Sequence, residues 1–91
     1  MSTFVAVCTF TPEATIEAIT DLAPAERTAA ADLQAAGRLG MIHIALPRRT
    51  VFIEVNAADA AAAEATVREL PMAPLWAIDT YEVTAPPAAH A

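Results

Sequence analysis

The apolar positions along this chain follow two different periods, and the switches between them mark out six elements. Residues 3–10 (TFVAVCTF) are mostly β-branched, aromatic or small and read as a strand. Beyond Thr11 the period lengthens: Ile16, Ile19, Ala23, Glu26, Ala30 and Leu33 recur at alternating spacings of three and four. That spacing confines them to a helical arc of roughly 100°, the width of a core-facing stripe. Glu17, Asp21, Thr28 and Asp32 fall on the opposite side. Thr11 is the expected cap and Pro12 the expected first turn. The pattern runs to Ala36 and stops at Gly37, a favourable residue just past a helix end. Pro24 lies on the polar side; either one long helix bends there, or a second helix starts after a break at Leu22-Ala23.

Residues 39–46 (LGMIHIAL) and 50–55 (TVFIEV) read as two strands of an antiparallel hairpin, joined through Pro47-Arg48-Arg49. Asn56 and Asp59 offer caps for a second helix over 59–70, with Ala60, Ala63, Val67 and Leu70 at helical spacing and an exposed Glu64/Arg68 pair. An apolar, proline-bounded loop (71–76, PMAPLW) leads to a last strand over 77–84 (AIDTYEVT). The order βαββαβ predicts an α+β, ferredoxin-like fold: a four-stranded antiparallel sheet with two helices on one face. The domain is expected over 1–84, with a flexible tail over 85–91. Two helices cover one face of a sheet, yet the first two strands are apolar at both parities: Phe4, Ala6 and Cys8 against Val5 and Val7, Met41 and Ala45 against Ile42 and Ile44. Half-solvated strands alternate with polar residues instead. The second face therefore calls for a cover, and a homodimer packed sheet to sheet is expected.

Composition narrows the chemistry. Ninety-one residues make one small domain, and the net charge of −6 speaks against nucleic acid and anionic membrane surfaces as partners. No stretch approaches the apolar length that spans a bilayer, and the start lacks a basic segment before its apolar run. Cys8 is the only cysteine, so no intrachain disulfide forms and a cytoplasmic location is expected. There is no lysine for Schiff-base chemistry, the sole serine is Ser2, and Gly37 and Gly40 cannot make a phosphate-binding loop. One cysteine and two histidines, one of them His90 in the tail, give no metal-ligand spacing. No cofactor is expected. Acid–base work by carboxylates, His43, Tyr81 or Cys8 remains.

Among these, Glu26 stands out, because an ionised carboxylate directed at a core is costly unless paired, hydrogen-bonded or neutralised. Desolvation there raises its pKa toward a working pH at which it can take and return a proton. The plainer reading is a helix glutamate following Pro24, favoured by the helix dipole.

Residues 26–83 resemble the muconolactone Δ-isomerase family and the wider dimeric α+β barrel group. Ala25-Glu26-Arg27 with Leu33-Gln34 and Gly37 looks like that family's "AE…LQ…G" helix end. Glu69-Leu70-Pro71-Met72-Ala73-Pro74 looks like its "LPLFP" loop, and Glu82-Val83-Thr84 like its "EVTP" strand. The likeness spans about two-thirds of the chain. It implies a dimeric barrel, often assembled into larger rings, that shifts a double bond in a small lactone by cofactor-free proton transfer, with Glu26 as the shuttle. The chain departs from the family in having His43-Ile44 where Trp-Arg is usual, Ala73 and Leu75 where bulky rings are usual, and extra residues between Trp76 and Glu82. Without that arginine, a carboxylate-bearing lactone such as muconolactone is a poorer match.

The site expected from these readings has Glu26 as base and His43 or Tyr81 as the group that polarises a substrate oxygen, with Met72, Trp76, Met41 and Phe52 lining a small-molecule pocket. His43 meets Glu26 only if it faces the helices, and strand parity leaves its face open. A hydrogen-bonded packing histidine is the simpler description. Tyr81 is equally an amphipathic strand-edge residue, Cys8 a small core hydrophobe, and Arg48-Arg49 a solvated turn. The alternatives to an isomerase are a catalytically silent binding or assembly subunit and a cofactor-free monooxygenase or cyclase of the same fold.

Overall fold

The computed structural model describes residues 1–85. Of the expected tail over 85–91, all but Ala85 lies outside the described residues, as does His90. The elements follow the expected order: β1 (Ser2–Phe10), α1 (Ile16–Ala35), β2 (Leu39–Ala45), β3 (Thr50–Ala57), α2 (Ala60–Val67) and β4 (Trp76–Val83). The strands form one antiparallel sheet in the order β2-β3-β1-β4, which with the two helices is the ferredoxin-like α+β fold. Among the described residues no helix is long and apolar enough to cross a membrane.

Strand parity decides what is buried. Phe4, Ala6 and Cys8 of β1 pair with Val55, Ile53 and Val51 of β3, and all six are buried in one core with Leu33 of α1 and Ala63 and Val67 of α2. Val5 and Val7 stand on the other face, half-buried. No element of the described chain is packed there strongly enough to bury them.

Helix α1 starts four residues later than the expected first turn. Residues 11–14 instead make a turn, closed by the Ala14 N–H donating to the Thr11 carbonyl at 3.0 Å. The Arg49 guanidinium, reaching over from the hairpin, donates to the Thr11 carbonyl at 3.3 Å and to that of Ala14 at 3.0 Å. With those carbonyls taken, the cap moves to Thr15, whose hydroxyl accepts from the Ala18 N–H at 3.0 Å. Arg49 is exposed, as the solvated-turn reading expected, and it also fastens the hairpin to the β1–α1 turn. Its guanidinium also lies 6.0 Å from the Phe10 ring centroid. Pro24 sits inside one continuous helix with its ring toward solvent. Along the stripe Leu33 is buried and Ile19, Ala23, Glu26 and Ala30 are half-buried, whereas Ile16 in the first turn stays 78% exposed. Gly37 closes the helix at φ 75°, with Arg38 N–H donating to the Leu33 carbonyl and Gly37 N–H to that of Gln34. This paired closure is the reason a glycine is favoured there.

The second helix is shorter than its pattern suggested. Asp59 caps it, accepting from the Ala62 N–H at 2.8 Å, and it ends at Val67, although Leu70 is still buried. Glu64 and Arg68 pair as expected, at 2.9 Å.

The sheet has one irregularity with consequences. Leu39 pairs with Val55, but the next paired residue on β2 is Ile42, with Ile53. Gly40 and Met41 therefore both fall opposite Glu54, a bulge of one extra residue. Beyond it the alternation is shifted: Ile42 and Ile44 share the helix-side parity of Ile53 and Val51, and His43 shares the outer parity of Phe52.

Candidate functional site

Glu26 is held by its own helix and by the loop before β4. Its Oε1 accepts the backbone N–H of Met72 at 2.9 Å. Pro71 and Pro74 shape that loop, in which Ala73–Leu75 is a single tight turn with Pro74 near its start. The turn is knit by Ala73 N–H donating to the Leu70 carbonyl at 3.0 Å and Leu75 N–H to that of Met72 at 2.8 Å. Thr11 N–H donates to the Leu75 carbonyl at 2.9 Å, tying the loop to the end of β1. Leu70, Met72, Ala73 and Trp76 are all buried, so the loop is an inward-facing part of the core.

Burial raises the pKa of the Glu26 carboxyl, and the Met72 hydrogen bond pulls it back less strongly. The direction follows from desolvation of the charged form outweighing one neutral donor. Oε2 accepts no hydrogen bond among the described residues, so one carboxylate oxygen is positioned by the loop and the other is not.

Three further groups belong to this side of the sheet. Cys8 is buried on β1, its thiol pushed up to about 12, first by burial and then by the negative charge of Glu26, with Arg68 acting in the opposite sense. Trp76 is only 6% exposed and meets Phe10 edge to face, ring centroids 6.0 Å apart, while its buried indole Nε1 has no hydrogen-bond partner among the described residues. Thr80, opposite Ala6 and so on the same face, has a buried hydroxyl that likewise has no partner among the described residues. Buried polar groups normally find partners, so two such orphans on one face of one strand call for an explanation.

The residues picked out from the sequence divide between the two faces. Glu26, Met72 and Trp76 lie on the helix side. His43 and Phe52 are cross-strand neighbours on the outer face, Tyr81 stands there opposite Val5 and is 57% exposed, and Met41 is exposed in the bulge. The condition for His43 to share a cavity with Glu26 is not met in this chain, because the bulge turns His43 away from the helices. Tyr81 is separated from Glu26 by the sheet for the same parity reason.

Sequence reasoning passed over Thr80 and the approach of Cys8 to Glu26. Thr80 was open to discovery, since it follows Trp76 and Ile78 at spacings of two and so shares their face. The relation of Cys8 to Glu26 depends on how α1 lies on the sheet, which no local pattern encodes. Elsewhere, a shallow recess of about 300 Å³ on α2 is lined by Ala61, Glu64, Ala65 and Arg68. It holds none of the groups named above except Arg68.

Neither a protein-family model nor a curated protein matches this chain.

Proposed function

We propose that this protein is a cofactor-independent isomerase, or a related proton-transfer enzyme, acting on a small lactone or carbonyl compound, with Glu26 as its base. The observation that carries the reading is the single-ended fixation of Glu26: a half-buried carboxylate with a raised pKa, one oxygen held by Met72 N–H and the other unpartnered. A base poised in this way removes a proton from the carbon next to a carbonyl and returns it at a second carbon. As the enolate develops, its oxygen needs a hydrogen-bond donor. The unpartnered Trp76 indole N–H and Thr80 hydroxyl on the same side of the sheet supply such donors, so the polarising part passes to them from His43 and Tyr81. The muconolactone isomerase-like motifs around Glu26 and Met72 support the same reading.

The protein works in this proposal as a homodimer or larger homo-oligomer in a reducing compartment such as the cytoplasm. Support for the pairing comes from Val5, Val7 and Phe52, apolar residues on a sheet face that the described residues leave partly exposed.

Glu26→Gln tests the proposal, because glutamine keeps an oxygen for Met72 N–H while losing the base. With a panel of small enol lactones and unsaturated carbonyl compounds, the native protein exchanges solvent deuterium into substrate and Glu26→Gln does not. Unchanged turnover in Glu26→Gln overturns it. The Met72 hydrogen bond also favours a second reading, in which Glu26 only anchors the loop of a catalytically silent binding or assembly subunit. That reading predicts no deuterium exchange by either protein.

A further inference from the structure

The outer face of the sheet is patterned so that it complements itself in one orientation. The strand registers place His43, Phe52, Val7 and Asp79 in one row crossing the sheet from β2 to β4. The next row holds the Gly40-Met41 bulge, Glu54, Val5 and Tyr81. In the first row the two ionisable groups occupy the two edges and the apolar pair fills the middle. With strands about 4.8 Å apart, His43 and Asp79 are separated within one chain by about 14 Å and cannot touch.

Two identical sheets stacked face to face by a twofold axis have two simple arrangements. If the axis runs across the strands, β2 covers the partner's β2 and β4 the partner's β4. Asp79 then meets the acidic edge from which it came, and Phe52 loses its small counterpart. If the axis runs along the strands, the edges exchange: His43 lies over the partner's Asp79, and Phe52 over the partner's Val7. Sheets pack about 10 Å apart, a gap that a histidine and an aspartate side chain together can bridge.

We infer that a second copy of this chain covers the outer sheet face with its edges exchanged, each His43 meeting the partner's Asp79 and each Phe52 packing on the partner's Val7. This rests on the homodimer reading above and goes beyond it by fixing the orientation. Two His–Asp contacts, one at each edge, bracket an apolar centre. That is the arrangement in which rim charges set register while buried apolar groups supply affinity. The other ionisable groups on this face are Glu54 and Tyr81, one row away. In the exchanged orientation Glu54 faces the partner's β1 and not a second acidic edge. The pairing leaves Glu26 on the helix side untouched, so it can fail without affecting the proton-transfer proposal.

The test is a reciprocal charge change read by sedimentation equilibrium. His43→Glu places two acids at each edge contact, and Asp79→Lys places lysine against histidine; each variant alone is expected to dimerise about tenfold more weakly or worse. Mixed in equal amounts they are expected to recover a heterodimer of near-native affinity, and the double variant His43→Glu/Asp79→Lys a homodimer of similar affinity. Recovery cannot arise within one chain, because the two positions are too far apart. Weakening without recovery, or no weakening at all, overturns the orientation while a native dimer persists. A native protein that stays monomeric at high concentration overturns the orientation and the homodimer reading together. Far-UV circular dichroism of each variant separates lost pairing from lost fold.

Discussion

Glu26 on the first helix and Met72 in the loop before the last strand, 46 residues apart in sequence, are joined by a 2.9 Å hydrogen bond from backbone N–H to carboxylate. One side chain thus does two things: it satisfies a donor of a buried loop, and it holds a half-buried carboxylate in place. The two roles separate by substitution.

Glu26→Ala leaves the Met72 N–H without its acceptor, and a buried donor left unpaired costs about 1–3 kcal/mol. Glu26→Gln keeps the acceptor. The sign of the pH effect is set by the raised pKa of Glu26. The folded chain holds this proton more tightly than the unfolded chain, so the contribution to stability is full at acid pH. It is lost as pH climbs from the ordinary carboxylate range through the raised value. Urea melts are therefore expected to show Glu26→Gln at least as stable as the native protein at neutral pH, with a flatter dependence at mildly acid pH. Glu26→Ala is expected to be less stable than Glu26→Gln throughout.

Cys8 is expected to be inert in the folded protein. Its thiol is pushed up to about 12 and the side chain is buried, so little thiolate forms at neutral pH. A disulfide reagent should label it at the rate of unfolding, and at full speed only in denaturant. Because the folded thiol holds its proton well above the ordinary thiol value of 9.0, stability should fall as pH rises from there toward about 12. Removing the Glu26 charge in Glu26→Gln should ease the thiol's ionisation.

Most of the architecture was legible because period decides it. The stripe from Ile19 to Leu33 turns inward as its spacing requires, and Phe4, Ala6 and Cys8 bury together as strand parity requires. What escaped was set by contacts between distant segments. The start of the first helix depends on Arg49 reaching from the hairpin to the carbonyls of Thr11 and Ala14. The face of His43 depends on the Gly40-Met41 bulge; counted in strict alternation from the buried Leu39, His43 would point at the helices. The candidate site was legible for Glu26, Met72 and Trp76, whose positions follow from helix spacing and the proline-bounded loop. It was not legible for His43 and Tyr81, whose sidedness rests on register.

The cap of the second helix has a measurable weight. That helix has eight residues, too few to hold without outside support, and Asp59 satisfies the Ala62 N–H at 2.8 Å. Asp59→Ala is expected to destabilise the protein by about 1 kcal/mol in thermal or urea unfolding, and Asp59→Asn by only a few tenths.

Gly40 and Glu54 should be energetically coupled. A Cβ built on Gly40 would clash with the Glu54 Oε1, the far end of a flexible side chain. Gly40→Ala should therefore displace that carboxylate at modest cost, and the cost should vanish in a Glu54→Ala background. A double-mutant cycle is expected to return a coupling of about 0.5–1 kcal/mol.

The measurement closest to the central claim needs no substrate: the titration of the Glu26 carboxyl followed by carbon NMR in selectively labelled protein, assigned by its loss in Glu26→Gln. A midpoint above the ordinary glutamate range, with a slow approach to the ionised form as pH rises, is the expected result and marks a desolvated base. A midpoint at or below that range would make Glu26 an ordinary ionised anchor for the Met72 loop and contradict the account.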